Sequence, residues 1–395
     1  MRQARQATIE FSLKWNSGRA AHADRLLIPE IDFRRDSFPG SMEQKLPQMQ
    51  SGEQVEETFS PGELVEPWKP SDLRKIPLGT FNSHYNNLRL TPHMGRFYPV
   101  ALIAGATGHD HGDMRPFRVV EVGDETLTVD LNHPLSQYPL TVRATLLEPF
   151  TGTEQRGGGC QDIAVMLTQK GPGMQARNGE GPAYDFPLAR ADDKEDSLFY
   201  AMPRMVDHID RKAVEILKSI HARYVKPGSR VLDLMTSWTS HLDMAGGEVA
   251  ITGIGMNQQE LDANPLLNDR LLQDLNKTPL LPFDDDSFDV VLCSLSVEYL
   301  ISPRAVFAEV RRVLKPGGLF LNSFSERWFP TKAVTLWTEM HPFERIGMVL
   351  DHYIATRFDD LQTESVRGHF RPDDDKYRGM SPFSDPLYVV AGRKS

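Results

Sequence analysis

Cysteine is almost missing from this chain. Only Cys160 and Cys293 occur in 395 residues, and neither stands at CxxC or Cys/His ligand spacing. A disulfide framework and a zinc ribbon are therefore excluded as organising features, no metal site is expected, and a reducing cytoplasm is the expected compartment. Long apolar runs are missing too. The best candidates, Tyr98–Gly105 and Val290–Ile301, are of strand length or broken by polar groups, far from the ~18 residues of a spanning helix, so no membrane partner is expected. The opening MRQARQATIEFSL lacks the apolar stretch of a signal peptide, so secretion is not expected either. Nor is there an excess of basic charge. Forty-four Lys and Arg face 54 Asp and Glu, a net charge of −10, which argues against nonspecific binding to nucleic acid.

What is present is ordinary globular material, 40% hydrophobic and 25% charged. The length suits two or three domains of ~150 residues each, and composition divides the chain accordingly. Gly152 to Gly181 is rich in glycine, with Pro172, Pro182 and Pro187 in or just after it. We read residues 151–195 as a connector carrying a short strand at Ile163–Leu167. Before it, Thr8–Lys14 alternates Ile9, Phe11 and Leu13 with polar residues, the period of a half-buried strand. Val55–Phe59, Phe117–Val122, Thr126–Asp130 and Thr141–Leu147 extend an antiparallel set, and Ser41–Met49 is the one good helical pattern.

After the connector the character changes. Ala213, Ile216, Leu217, Ile220 and Tyr224 fall at helical spacing behind Asp210, a good N-cap. Short apolar runs at Val231–Leu234, Val249–Ile254, Val290–Leu292 and Leu319–Asn322 alternate with helical patterns. Ser302-Pro303 starts one helix, and Pro316-Gly317-Gly318 reads as its stop. The expected fold is α/β, a doubly wound, mostly parallel sheet whose ligands bind at the carboxyl ends of its strands.

One segment is specific. Leu281-Pro282-Phe283 with Asp286-Ser287-Phe288-Asp289, then Leu314-Lys315-Pro316-Gly317-Gly318, resembles the class I S-adenosylmethionine-dependent methyltransferases of the type 11 group, over about residues 196–395. The resemblance implies a Rossmann-like fold and S-adenosylmethionine as cofactor. It also exposes two departures. The family's first loop is usually Asp-x-Gly-x-Gly-x-Gly, whereas VLDLMTSWTSHL, from Val231, keeps Asp233 and has no glycine. After the second strand an acid usually grips the two ribose hydroxyls, whereas GIGMNQQEL places Gly255 there and Asn257 two beyond. Either Thr236, Ser237, Thr239 and Ser240 supply hydroxyl donors and Asn257 replaces the acid, or the site has decayed and binds nothing.

The resemblance also implies Asp274 and Leu275 at the adenine amino group, with a turn cap as the alternative role for Asp274. Ser294, Ser296, Glu298 and Tyr299 fall where the acceptor meets the methyl group. Glu298, His241 or His352 could serve as general base, and Tyr200, Arg204 and His208 could cap the cofactor mouth or pack the first helix.

Before the connector, Gly40, Glu43, Leu46 and Gly52-Glu53, followed by Asp130-Leu131-Asn132-His133-Pro134-Leu135, resemble FKBP-type prolyl isomerases of the SlyD-like group, over about residues 7–150. That implies a smaller α+β domain with an inserted flap, about 79–118, that binds protein or peptide. The pattern departs at the pocket. Leu131 stands where an aromatic is usual, Glu63-Leu64-Val65 replace Ala-Tyr-Gly, and Asp24 is the nearest counterpart of the acidic residue. His109, His111, Asp110 and Asp113 read as an exposed flap tip, with weak metal holding as the alternative.

Overall fold

The computed structural model describes residues 5–85, 88–150, 159–169, 188–243 and 248–395. The chain forms two compact units, Met1–Asp185 with Glu339–Met348, and Phe186–Thr338 with Val349–Ser395.

In the first unit, β1 (Gln6–Asn16) and β2 (Ala21–Asp32) form a long hairpin, and β3 (Gln54–Phe59) follows a short helix, α1 (Met42–Lys45). With a later strand, β8 (Leu140–Phe150), they make an antiparallel sheet in the order β2-β1-β8-β3. Ile9, Phe11, Leu13, Val142, Ala144 and Leu146 bury one face, with Met42 and Leu46 packed on it. The strand β2 has no counterpart among the sequence expectations. Its inward positions include His22 and Asp24, both buried, so the apolar alternation is interrupted in the sequence although the strand is regular.

A second sheet is inserted between β3 and β8. It comprises β4 (Leu73–Pro77), β5 (Phe97–Pro99), β6 (Pro116–Val122) and β7 (Thr126–Asp130), ordered β4-β7-β6-β5. Because Leu73 pairs with Asp130, the insertion is wider than residues 79–118. Residues 151–158 and 170–187 of the expected connector lie outside the described residues. Ile163–Leu167 is not a strand. It belongs to a helix, α2 (Ile163–Gln169), whose Ile163 and Leu167 are buried in the core of the first sheet.

The second unit holds a seven-stranded sheet. Its strands are β9 (Arg230–Leu234), β10 (Ala250–Gly255), β11 (Asp269–Leu272), β12 (Phe288–Ser294), β13 (Leu314–Phe324), β14 (Asp359–Arg367) and β15 (Leu387–Arg393). The order is β11-β10-β9-β12-β13-β15-β14. Pairing is parallel from β11 to β13, while β15 runs antiparallel to both of its neighbours. The sheet is mostly parallel, as expected, and Rossmann-like. Three helices matter to the site: α3 (Arg211–Tyr224), α4 (Gln258–Ala263) and α5 (Pro303–Val313). Asp210 caps α3, accepting from the Lys212 and Ala213 amides at 2.9 and 3.2 Å.

Pro316-Gly317-Gly318 follows the end of its helix as expected, Pro316 standing two residues beyond the C-cap, Leu314. The helix α5 ends at Val313, and the proline and glycines form an irregularity inside β13, where Phe288 faces Leu314 but Val290 already faces Leu319. Gly317 has φ 75°, and its amide reaches the Lys394 carbonyl.

Candidate active site

The strand order reverses at β9, which lies between β10 and β12. The crevice beyond the carboxyl ends of such strands is where doubly wound sheets bind ligands. A cavity of about 860 Å³ opens there, inside the second unit, a size within the usual range for small-molecule sites. Its wall includes Asp233, Thr236, Ser237, His241, Asp274, Leu275 and Ser294. Tyr200, Arg204 and His208 line it as well, together with Glu260, Tyr299 and Phe329. Asn257, Glu298 and His352 are not on that wall.

The glycine-free loop after β9 keeps a glycine-like backbone. Met235, at the first glycine position of the family pattern, has φ 54°, and His241 has φ 50°. Across the crevice Leu295, just after β12, has φ 55°. Each left-handed non-glycine residue costs roughly 1–2 kcal/mol, and such strain concentrates where a site demands it. The loop is also tied down. The Thr236 amide donates to the Ile254 carbonyl at 2.8 Å, the Ser237 hydroxyl to Glu260 Oε2 at 2.7 Å, and Asn264 Nδ2 to both the Ser237 carbonyl and Ser240 Oγ at 3.0 Å. Two hydroxyls of the run, those of Ser237 and Ser240, thus help to anchor the loop.

At the end of β10 the fold excludes the usual acid. A β-carbon on Gly255 would approach the Thr236 carbonyl and a Leu261 methyl to within 3.0 Å, closer than real β-carbons come. Asn257 does not stand in for the acid in this arrangement, because its amide is already engaged. Oδ1 caps α4 by accepting from the Gln259 and Glu260 amides at 2.9 and 3.2 Å. Nδ2 donates to the Tyr200 and Ala201 carbonyls at 2.9 and 3.2 Å. Glu260 does line the cavity from this side, and the sequence reading did not assign it to the site. The available signal was an acid three residues after a capping Asn, a spacing usually read as a helix start.

Electrostatics separate the other candidates. Asp233 is 2% exposed. Burial pushes its carboxyl up to about 7 against the pull of the Thr236 and Ser240 hydroxyls, and Oδ2 has no hydrogen-bond partner among the described residues. The Ser294 hydroxyl is likewise without a partner among the described residues. Burial, with His221, Lys218 and His208 nearby, lowers His241 to about 3, so its ring is neutral at physiological pH and a weak base. Glu298 is 1% exposed in the short turn Val297–Tyr299, set back from the cavity wall. His352 is buried against Phe307, at 5.6 Å between ring centroids, and is held near 3 by burial. The expected general bases therefore do not converge on one reacting atom. Asp274 takes the turn-cap role and also faces the cavity. Its Oδ1 caps the turn by accepting from the Asn276 and Lys277 amides at 2.9 and 3.3 Å.

The cavity mouth is aromatic. Phe329 meets Phe199 and His208 edge-to-face at 5.2 and 5.4 Å between centroids, and Tyr299 at a tilt at 5.9 Å. The Arg204 guanidinium lies over Phe199 at 4.5 Å and over Phe329 at 5.3 Å.

In the first unit Asp24 is wholly buried within β2, and Leu131 packs against the core of the inserted sheet. Asp113 is paired with Arg115 at 2.7 Å. Among the described residues no group of three His, Cys, Asp or Glu could hold a metal ion. No helix among them is long and apolar enough to cross a membrane.

Comparison with known proteins bears on the second unit. Residues 237–322 match the family model described as "Methyltransferase domain". The chain is 29% identical over 168 residues to the ubiquinone/menaquinone biosynthesis C-methyltransferase UbiE of Laribacter hongkongensis, covering 40% of this chain and 66% of that one. The protein of the same description from Paraburkholderia xenovorans is 32% identical over 171 residues, with the same two coverages. The match thus spans just under two thirds of these relatives' length. Among solved structures, an S-adenosylmethionine-dependent methyltransferase from Mesorhizobium loti aligns with a TM-score of 0.30 at 20% identity, covering 44% of this chain and 96% of that one. One from Aquifex aeolicus aligns with a TM-score of 0.31 at 14% identity, covering 48% and 100%.

Proposed function

Starting from a methyltransferase domain of the S-adenosylmethionine-dependent type, we propose that this chain transfers a methyl group from S-adenosylmethionine to an acceptor bound in the 860 Å³ cavity. The observation that carries the reading is the deeply buried Asp233 carboxyl at the switch point of the sheet, whose Oδ2 has no hydrogen-bond partner among the described residues. A buried carboxyl oxygen left unpaired is costly, and a cationic ligand group satisfies it. Bound there, S-adenosylmethionine supplies an electrophilic methyl group on a cationic sulfur.

The chain's residues do the rest. Asp233 holds a positive group of the cofactor, giving up its proton as it does so. Asp274 and Leu275 hold the adenine end, and the rigid loop 235–241 fixes the backbone between the two. Ser294, Tyr299 and Phe329 shape the acceptor side and exclude water. Methyl transfer in line needs positioning above all, which can supply ~7–11 kcal/mol of a barrier, so the lack of convergent bases suits the reaction. Calorimetric titration of the full chain with S-adenosylmethionine and S-adenosylhomocysteine tests this. Binding of both is expected; no heat and no thermal shift at millimolar ligand would sink the reading.

We read the first unit as an FKBP-like peptide-binding module that brings a protein substrate to the enzyme, in a cytoplasm that keeps Cys160 and Cys293 reduced. A sheet inserted between β3 and β8 and a cavity of about 240 Å³ lined by Trp68, Phe97, His133, Pro134 and Tyr138 support it. Suppression of aggregation of an unfolded client by the full chain is expected. Accelerated refolding of a proline-limited substrate would instead mark prolyl isomerase activity.

A further inference from the structure

The cofactor assigned above carries a vicinal diol, and the fold closes the place where an acid would normally meet it. Three observations converge on a replacement. Gly255 has no room for any side chain, because the Thr236 carbonyl occupies the space a β-carbon would need. Asn257 has its oxygen in the α4 cap and its nitrogen on two carbonyls. Glu260, one turn on, sits on the cavity wall and is 8% exposed.

The orientation of Glu260 is informative. As the third residue of a helix capped by Asn257, it stands where an acid ordinarily folds back onto the cap's own amide. Here it turns to the cavity instead. Oε1 accepts the Arg204 amide at 2.6 Å and Oε2 accepts the Ser237 hydroxyl at 2.7 Å. These two bonds use one acceptor site on each oxygen. A carboxylate has about four such sites, so each oxygen can accept one more donor.

We propose that Glu260 is the residue that binds the ribose diol of the cofactor, the recognition acid having moved from the end of β10 into the first turn of α4. This rests on the methyltransferase reading. A carboxylate held by Ser237 also explains why the loop carries serine where the family pattern has its second glycine.

The test compares two ligands on the full-length protein by calorimetry: S-adenosylhomocysteine and its 2′-deoxyribose analogue. The wild type should prefer the former by roughly tenfold or more, the value of a hydrogen bond to a charged acceptor. Glu260→Gln should lose that preference while binding the deoxy analogue about as well as the wild type does. Glu260→Asp should retain part of the preference, and serves if the glutamine variant does not fold by thermal unfolding. A preference that survives both substitutions overturns the proposal, and so does an equal loss for both ligands, which would mark a purely structural carboxylate. If the wild type binds neither ligand, the methyltransferase reading fails and takes this one with it; binding with an unaltered preference in Glu260→Gln fails this one alone.

Discussion

The backbone of Thr236 and the α-carbon of Gly255 are packed so closely that no side chain fits between them. Glycine has migrated, in effect, from the first loop to the strand beside it. A glycine-rich loop lets a ligand approach backbone; here the glycine of β10 lets the loop itself approach. The loop's conformation then depends on its neighbour as well as on its own residues.

Gly255→Ala should therefore destabilise the protein by about 1–3 kcal/mol, as overpacking does. Gly255→Asp should be at least as harmful and should not improve cofactor binding, although it restores the family's residue. Thermal unfolding with ligand titration checks both; a stable, tighter-binding Asp variant would show that the loop yields.

Asp233 makes stability depend on pH in a defined direction. Its carboxyl is raised from 3.8 to about 7 in the folded state, so between those values the native protein binds a proton that the unfolded chain does not. That contribution is complete below pH 4 and is lost as pH rises towards 7. At 1.36 kcal/mol per unit the loss is on the order of 4 kcal/mol. Asp233→Asn should be free of it, so the stability difference between variant and wild type should widen over that window in urea unfolding. In the wild type, ligand binding below pH 7 should release close to one proton, visible as a buffer-dependent heat.

Asn257→Ala removes a helix cap, usually worth about 0.5–2 kcal/mol, and also two donors to the segment at Tyr200 and Ala201. Asn257→Asp keeps the cap but sets an anion against two carbonyls. Both should lower the unfolding midpoint, and the aspartate should be rescued in part at acid pH. A neutral alanine variant would show that the 200–201 segment is held by other contacts.

His241 is held near 3 by burial, so it should contribute no limb to a rate profile between pH 5 and 8. His241→Gln should leave the shape of that profile unchanged. Disappearance of a limb near 6.5 would show that ligand binding recharges the ring.

Within the first unit, Arg96 Nε donates to Glu344 Oε1 at 3.0 Å with both side chains buried. The same oxygen accepts the Phe97 amide at 2.8 Å, and Oε2 accepts the His341 amide at 3.1 Å. Glu344→Gln should cost about 3–5 kcal/mol, as breaking a buried ion pair does. Arg96→Met combined with Glu344→Gln should recover part of it. Chemical denaturation of the single and double variants measures both.

The sequence disclosed what depends on local periodicity. Strands with clean alternation, such as Gln6–Asn16 and Thr126–Asp130, and the Asp210-capped helix were all legible. Ala21–Asp32 was not, since His22 and Asp24 face inward and only the finished core makes that tolerable. Leu387–Arg393 was missed because an antiparallel strand late in an α/β pattern is specified by its neighbours alone. At the cavity, Asp233, Ser237 and Asp274 could be named from the resemblance to the methyltransferases. Glu260 could not, because its importance comes from Gly255 being closed, a fact about three-dimensional crowding.

The Arg96–Glu344 pair has a consequence for how the molecule is made. The two residues are 248 positions apart, and most of the second unit's chain is synthesised between them. A ribosome delivers Arg96 early, and its counter-charge arrives only after five strands of the other unit, from Arg230–Leu234 to Leu314–Phe324, have emerged. This buried pair of the first unit therefore cannot close until Glu344 has been made. A chain ending at the glycine-rich segment would have Arg96 without Glu344.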